Sequence, residues 1–263
     1  MDAAMVREFV ISLEDRGADD RTAVRMRHYL EALGRPDIRY LVGTIRGAGA
    51  EMIGRYARAV LEAAAAPAAA SSDALDDPLL GRAGTRVAEA AYGMAATHPE
   101  LGELSRDEAR TLVALTAAAE ASRRVLLLVD ERGDAPALAA VGADLIVLAR
   151  MDEEKLAASM RAAPGRTPIV VAPTDAGVPA SVVRLATQHA LVGGRDFTVS
   201  AGDGPVMTLS VGGESYASLA LGAGDDAGLA ATGIVAALGL GALGIRMRPE
   251  WIERGARRAA GRE

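Results

Sequence analysis

The chain has 263 residues, half of them hydrophobic but only 3% aromatic, and carries a formal net charge of −6. That is enough for one large α/β domain with an alanine-, valine- and leucine-filled core, and the acidic balance argues against nucleic acid, whose binders need a basic face. The absence of cysteine excludes disulfides and thiolate metal sites, and the charged N-terminus (Asp2, Arg7, Glu8, Glu14, Asp15) and short apolar runs exclude a signal peptide and a membrane span, so the expectation is a soluble cytoplasmic protein with no membrane partner.

In chain order, residues 2 to 16 place Val6, Phe9, Val10 and Leu13 on one helical face, with Gly17 as the stop. A second helix is predicted over roughly Thr22 to Leu33, ending at Gly34-Arg35-Pro36. The run Ile38 to Val42 then reads as a central strand. It passes through Gly43-Thr44-Ile45-Arg46-Gly47-Ala48-Gly49-Ala50 into a helix from Glu51 to about Ala66. Residues 67 to 72 predict a short strand, followed by an acidic loop at Asp73 to Asp77.

Thr85 to Thr97 and Ser105 to Ala121 read as helices, the second opened by Ser105-Arg106-Asp107-Glu108, which fits a capping box. From there strands at Val125 to Val129, Asp144 to Ala149 and Pro168 to Val171 alternate with helices near Ala135 to Val141, Asp152 to Ala162 and Pro179 to Ala190. Continuous apolar strands between amphipathic helices indicate a mostly parallel sheet covered on both faces. Phe197 to Ser200, Val206 to Val211 and Tyr216 to Leu221 alternate instead, and predict an antiparallel meander at one edge. Helices from Asp225 to Gly239 and Pro249 to Arg258 close the chain.

The stretch around Gly43 carries most of the functional signal. Strand, glycine-rich turn and helix aim backbone N–H groups at an anion, and in a phosphate-binding loop a lysine and a hydroxyl complete the site. Gly43-Thr44 followed by Gly47-Ala48-Gly49-Ala50 resembles the Gly-Thr-Asn-Gly-Lys-Gly-Ser loop of the folylpolyglutamate synthases, of the Mur ligase superfamily, with one extra residue in the turn. Phe9 to Leu13, Arg25-Met26 and Leu30 to Pro36 look like that family's leader helices. The element order resembles its central, P-loop-type domain, including Gly194-Arg195-Asp196-Phe197 before the meander. The resemblance covers nearly the whole chain and implies a single domain: leader helices over 1–37, a parallel α/β core over 38–195, and meander with closing helices over 196–263. The family's C-terminal domain is expected to be absent.

In that family ATP and Mg support amide-bond formation, and several positions depart from its pattern. Ala48 stands where the lysine belongs and Ala50 where the serine belongs. Asp130 matches the family's metal-binding glutamate, although a solvated loop carboxylate is the plainer reading, and Gly133-Asp134-Ala135 echoes the family's following Asp-Ala. Arg150 to Lys155 lack the histidine metal ligand; the resemblance would set Lys155 near the family's carbamylated lysine, although a solvated lysine on an amphipathic helix is the plainer reading. Asp225 reads as an ordinary N-cap. His28, His98 and His189 show no ligand spacing.

The candidate anion or nucleotide site is therefore Gly43, Thr44, Arg46, Gly47 and Gly49, with Asp130 for a metal. Arg46 could hold an oxyanion beside the free N–H groups of residues 47 to 51. The plain alternative is a turn without a ligand. The resemblance implies a degenerate, catalytically inactive relative acting as a binding or assembly partner, as a homo-oligomer or with another protein. The rival is an ATP-dependent ligase that uses Arg46 and Asp130 and is completed by another chain.

Overall fold

The computed structural model describes residues 1–16, 19–66, 68–70, 77–133, 136–150, 169–173, 188–193, 197–201 and 206–262. Within these, the strands are β1 (Leu41–Arg46), β2 (Ala68–Ala70), β3 (Val125–Asp130), β4 (Leu145–Leu148), β5 (Ile169–Pro173), β6 (Gln188–Val192), β7 (Phe197–Ala201), β8 (Val206–Val211) and β9 (Glu214–Ala220). They form one sheet in the order β2-β3-β1-β4-β5-β6-β7-β8-β9. Strands β2 to β6 pair in parallel, β7 joins β6 at Val192–Phe197, and β7, β8 and β9 run antiparallel. The expected parallel sheet with a meander at one edge is thus present.

The described helices are α1 (Ala3–Ser12), α2 (Thr22–Ala32), α3 (Ala50–Ala63), α4 (Asp77–Thr97), α5 (Arg106–Glu120), α6 (Pro136–Ala140), α7 (Ala227–Ala242) and α8 (Pro249–Ala259). Alternation along the strands divides the core into two layers, because successive side chains point to opposite faces. Val125 and Leu127 of β3 join Ile45, Leu145 and Val147 in the layer under α3, α7 and α8. Leu126 and Leu128 join Val42 in the layer under α1, α2, α4, α5 and α6. Helix α3 is the hub of its layer. A Cβ on Gly233 of α7 would overlap the Ile53 carbonyl, and one on Gly255 of α8 would overlap the Val60 backbone, so both helices need glycine to approach α3 this closely.

On the other layer a buried ion network fastens α2 to α5. The Arg25 guanidinium, 1% exposed, donates to the Glu108 carboxylate from Nε and Nη2, the shortest bond being 2.7 Å. It also donates to Asp19 and to the Leu101 carbonyl. Glu108 is the capping-box residue of α5: its carboxylate accepts from the Ser105 N–H at 2.7 Å, and the Ser105 hydroxyl accepts from the Glu108 N–H. The predicted cap is therefore present, and it doubles as an anchor for α2.

Three boundaries differ from expectation. Ile38 closes a single 3-10 turn (Pro36–Ile38) instead of opening the strand, and β1 runs on to Arg46, so Gly43, Thr44 and Arg46 are strand residues. Helix α4 begins at Asp77, eight residues early, because Gly81 and Gly84 let α1 lie against it: a Cβ there would meet the Met1 carbonyl or the Val6 side chain. Residues 188–190 belong to β6, whose backbone pairs with β5, and not to a helix. The predicted helix 152–162 with Lys155, residues 179–187 of the next, Gly17, residues 71–76, Asp134-Ala135 and Gly194 to Asp196 lie outside the described residues.

Candidate functional site

Strand β1 lies between β3 and β4, with Arg46 opposite Asp130 on one side and Leu148 on the other. Arg46, Gly47, Gly49 and Asp130 consequently gather at the carboxyl edge of the sheet, where open α/β folds place ligands, whereas Gly43 and Thr44 lie within β1, Gly43 against Leu127 and Leu145 in the core. The chain leaves β1 through Gly47 at φ 107°, Ala48 and Gly49 at φ 91°, and enters α3. Both glycines occupy left-handed backbone that a Cβ disfavours. Space also requires them, since a Cβ on Gly47 would lie 2.8 Å from the Arg150 carbonyl and one on Gly49 would overlap Leu229 of α7.

The turn has the shape of an anion cradle, but its N–H groups are engaged within the chain. Gly47 donates to the Asp130 carbonyl at 2.8 Å, Ala48 to the Arg150 carbonyl at 2.9 Å, and Ala50 to the Gly47 carbonyl at 3.0 Å. The remaining two meet one carboxylate: Gly49 donates to Glu131 Oε1 at 2.6 Å and Glu51 to Glu131 Oε2 at 2.9 Å. The expectation of free N–H groups over residues 47 to 51 is corrected here. The cause is tertiary: β3 lies beside β1, so the loop after β3 brings Glu131 to the head of α3.

Arg46 and Asp130 face each other across β1 and β3. The guanidinium Nε is 3.8 Å from Asp130 Oδ2, and both side chains are buried, at 5% and 7% exposure. Asp130 Oδ1 also accepts from the Gly133 N–H at 3.0 Å, turning the loop back on itself. Nearby, Asp107 in the first turn of α5 has its carboxyl held above the usual range, first by burial and then by the adjacent Asp130 and Glu108 charges, against the lowering effect of the Ala137 N–H that donates to it.

A second cluster crosses the same edge. Asp226, not Asp225, caps α7, its side chain accepting from the Leu229 N–H at 3.0 Å; the N-cap expected at Asp225 is displaced by one residue because Asp225 has other partners. Its carboxylate accepts from Arg55 at 2.5 Å, from the Tyr56 hydroxyl at 2.7 Å and from the Gly222 N–H at 3.0 Å. Burial raises the Asp225 pKa, but the Tyr56 and Arg55 bonds outweigh it and leave the group below its ordinary value. Burial pushes Tyr56 up to about 12, with the bond to Asp225 adding to the shift. Arg150 reaches Asp226 at 3.2 Å, so two arginine–aspartate pairs tie the end of β4 and the side of α3 to the start of α7. Nothing in the sequence spacing pointed to this group, since its members lie up to 170 residues apart.

Two histidines do come together. The rings of His28 and His98 are 5.0 Å apart at their centroids, and His98 Nδ1 lies 3.1 Å from Glu100. Even so, no group of three or more metal-ligating side chains suited to a metal ion occurs among the described residues.

The described residues around the turn differ from a phosphate-binding loop completed by lysine and hydroxyl. Alanine at 48 and 50 supplies neither ammonium nor hydroxyl, the cradle amides hold a protein carboxylate, and Asp130 faces a buried arginine. No described helix is long and apolar enough to cross a membrane.

No family model and no curated sequence matches the chain. Solved structures do. The apo form of the Lactobacillus casei folylpolyglutamate synthetase superposes with a TM-score of 0.80 at 17% identity, covering 98% of this chain and 72% of that one. The Mycobacterium tuberculosis folylpolyglutamate synthase complexed with ADP gives 0.75 at 14%, covering 98% and 65%. Escherichia coli FolC in complex with DHPP and ADP gives 0.74 at 19%, covering 98% and 66%. At these identities the likeness is one of fold.

Proposed function

We propose that this chain, which has the fold of the folylpolyglutamate synthetases, is catalytically silent in ATP-dependent ligation and works in the cytoplasm as a binding or assembly protein. The observation that carries this reading is the turn at the head of α3, where Ala48 and Ala50 replace the ligase lysine and serine and every N–H from Gly47 to Glu51 is bonded within the chain. Phosphoryl chemistry needs positive charge aimed at the transferring group, and one lost donor of that kind typically costs about 10²–10³ in rate. Here the cationic donor is missing and the nearest buried guanidinium, Arg46, sits against Asp130.

The assembly half of the reading is supported by apolar side chains left on the surface, among them Tyr92 at 84%, Ile11 at 64% and Met5 at 51% exposure. Phosphate release from Mg-ATP is expected at background, and light scattering at micromolar protein is expected to show a homodimer or, with host extract, a stoichiometric complex. Magnesium-dependent turnover that disappears in Arg46→Ala would overturn the first half. A strict monomer that recovers no partner would overturn the second.

A further inference from the structure

We propose that Glu131 is a built-in anion, an intramolecular plug that satisfies the head of α3 and keeps the turn closed to anions from solution. Three observations converge on it. The partial positive charge of a helix start falls within its first turn, and α3 has 14 residues behind it. Glu131 sets both carboxylate oxygens on two amides of that turn, Gly49 and Glu51, in the two-pronged manner of a bound oxyanion. The other amides of the turn, at 47, 48 and 50, are turned onto main-chain carbonyls, so the two that Glu131 covers are those left to receive a negative group.

The residues around the plug suit a reversible contact better than a permanent one. Glu131 itself is an exposed loop residue, so its side chain can leave without opening the core. Asp130, one position earlier, is buried against Arg46 and has its own bond to Gly133, so the backbone of the loop stays in place when the Glu131 side chain departs. Leu229 and the Arg150 carbonyl lie against the two glycines on the other side, so close packing there holds the shape of the turn. Removing the carboxylate therefore uncovers a formed cradle.

This inference rests on the reading that the turn is not engaged in catalysis, yet the two fail separately, because one is tested by turnover of the natural chain and the other by anion binding to a variant. Inorganic pyrophosphate is titrated, at constant ionic strength, into isotopically labelled natural chain, Glu131→Ala and Glu131→Gln, and the amide signals of Gly49 and Glu51 are followed. The natural chain is expected to show no saturable movement of either signal. In Glu131→Ala both should move saturably, with affinity at least on the order of tenfold tighter than the natural chain. Glu131→Gln, which keeps the shape and one acceptor but not the charge, should fall between them, and it carries the test if the alanine variant does not fold. Equal binding by the three proteins, or unmoved amides in a folded Glu131→Ala or Glu131→Gln chain, would overturn the proposal.

Discussion

Replacing Arg25 by Met should be among the most damaging single changes in the chain. The guanidinium is 1% exposed and donates to Glu108, Asp19 and the Leu101 carbonyl, so its removal leaves the Glu108 carboxylate, itself 1% exposed, with the Ser105 N–H as its remaining hydrogen-bond partner described here. Breaking a buried pair by deleting one partner costs about 3–5 kcal/mol, because the surviving charge is desolvated without compensation. In a chain of this size each kcal/mol moves Tm by about 2–4 °C, so a fall of roughly 6–20 °C is expected. Arg25→Met/Glu108→Gln supplies the control. Glutamine removes the stranded charge yet can still accept from Ser105 as a capping-box residue, so the double variant should recover at least about half of the loss. Thermal and urea unfolding followed by circular dichroism would measure both. A single variant within about 1 kcal/mol of the natural chain, or a double variant no more stable than the single one, would refute the buried-charge argument.

Two carboxylates predict opposite pH effects. Asp107 has a folded-state pKa raised above its ordinary 3.8, so the folded state holds the extra proton and stability falls as pH rises through that window; Asp107→Asn should flatten this slope and raise stability at neutral pH, read from urea midpoints between pH 4 and 8. Asp225 is lowered from the same 3.8, so its contribution is present above that value and lost as pH falls through the folded pKa; Asp225→Asn should cost stability at neutral pH and remove that acid limb. Gly49→Ala should destabilise by about 2–5 kcal/mol, combining left-handed backbone strain with overlap against Leu229, and a urea midpoint unchanged from the natural chain would contradict the observed packing of α7 on the turn.

Much of the fold was legible in the sequence because its strongest signals are local. The apolar runs at Leu126 to Val129 and Leu145 to Leu148, the alternating strands of the meander and the Ser105 capping box each announce themselves within a few residues. What was not legible depended on partners distant in sequence. The start of α4 is rich in glycine and reads as loop until α1 is seen lying on Gly81 and Gly84. The Asp225–Tyr56–Arg55 group requires α7 to be docked on α3, and one residue decided whether Asp225 or Asp226 would cap. The turn itself was found from its glycines, but its state was not. Glu131 lies some 80 residues from the amides it covers, and only the β1–β3 pairing brings it there.

Calorimetric titration of Mg-ATP into the natural chain at millimolar nucleotide tests the central claim most directly. A turn without its lysine and hydroxyl, with every N–H bonded within the chain and Asp130 held against Arg46, predicts no saturable heat. Saturable binding with a micromolar Kd, lost in Arg46→Ala, would contradict it.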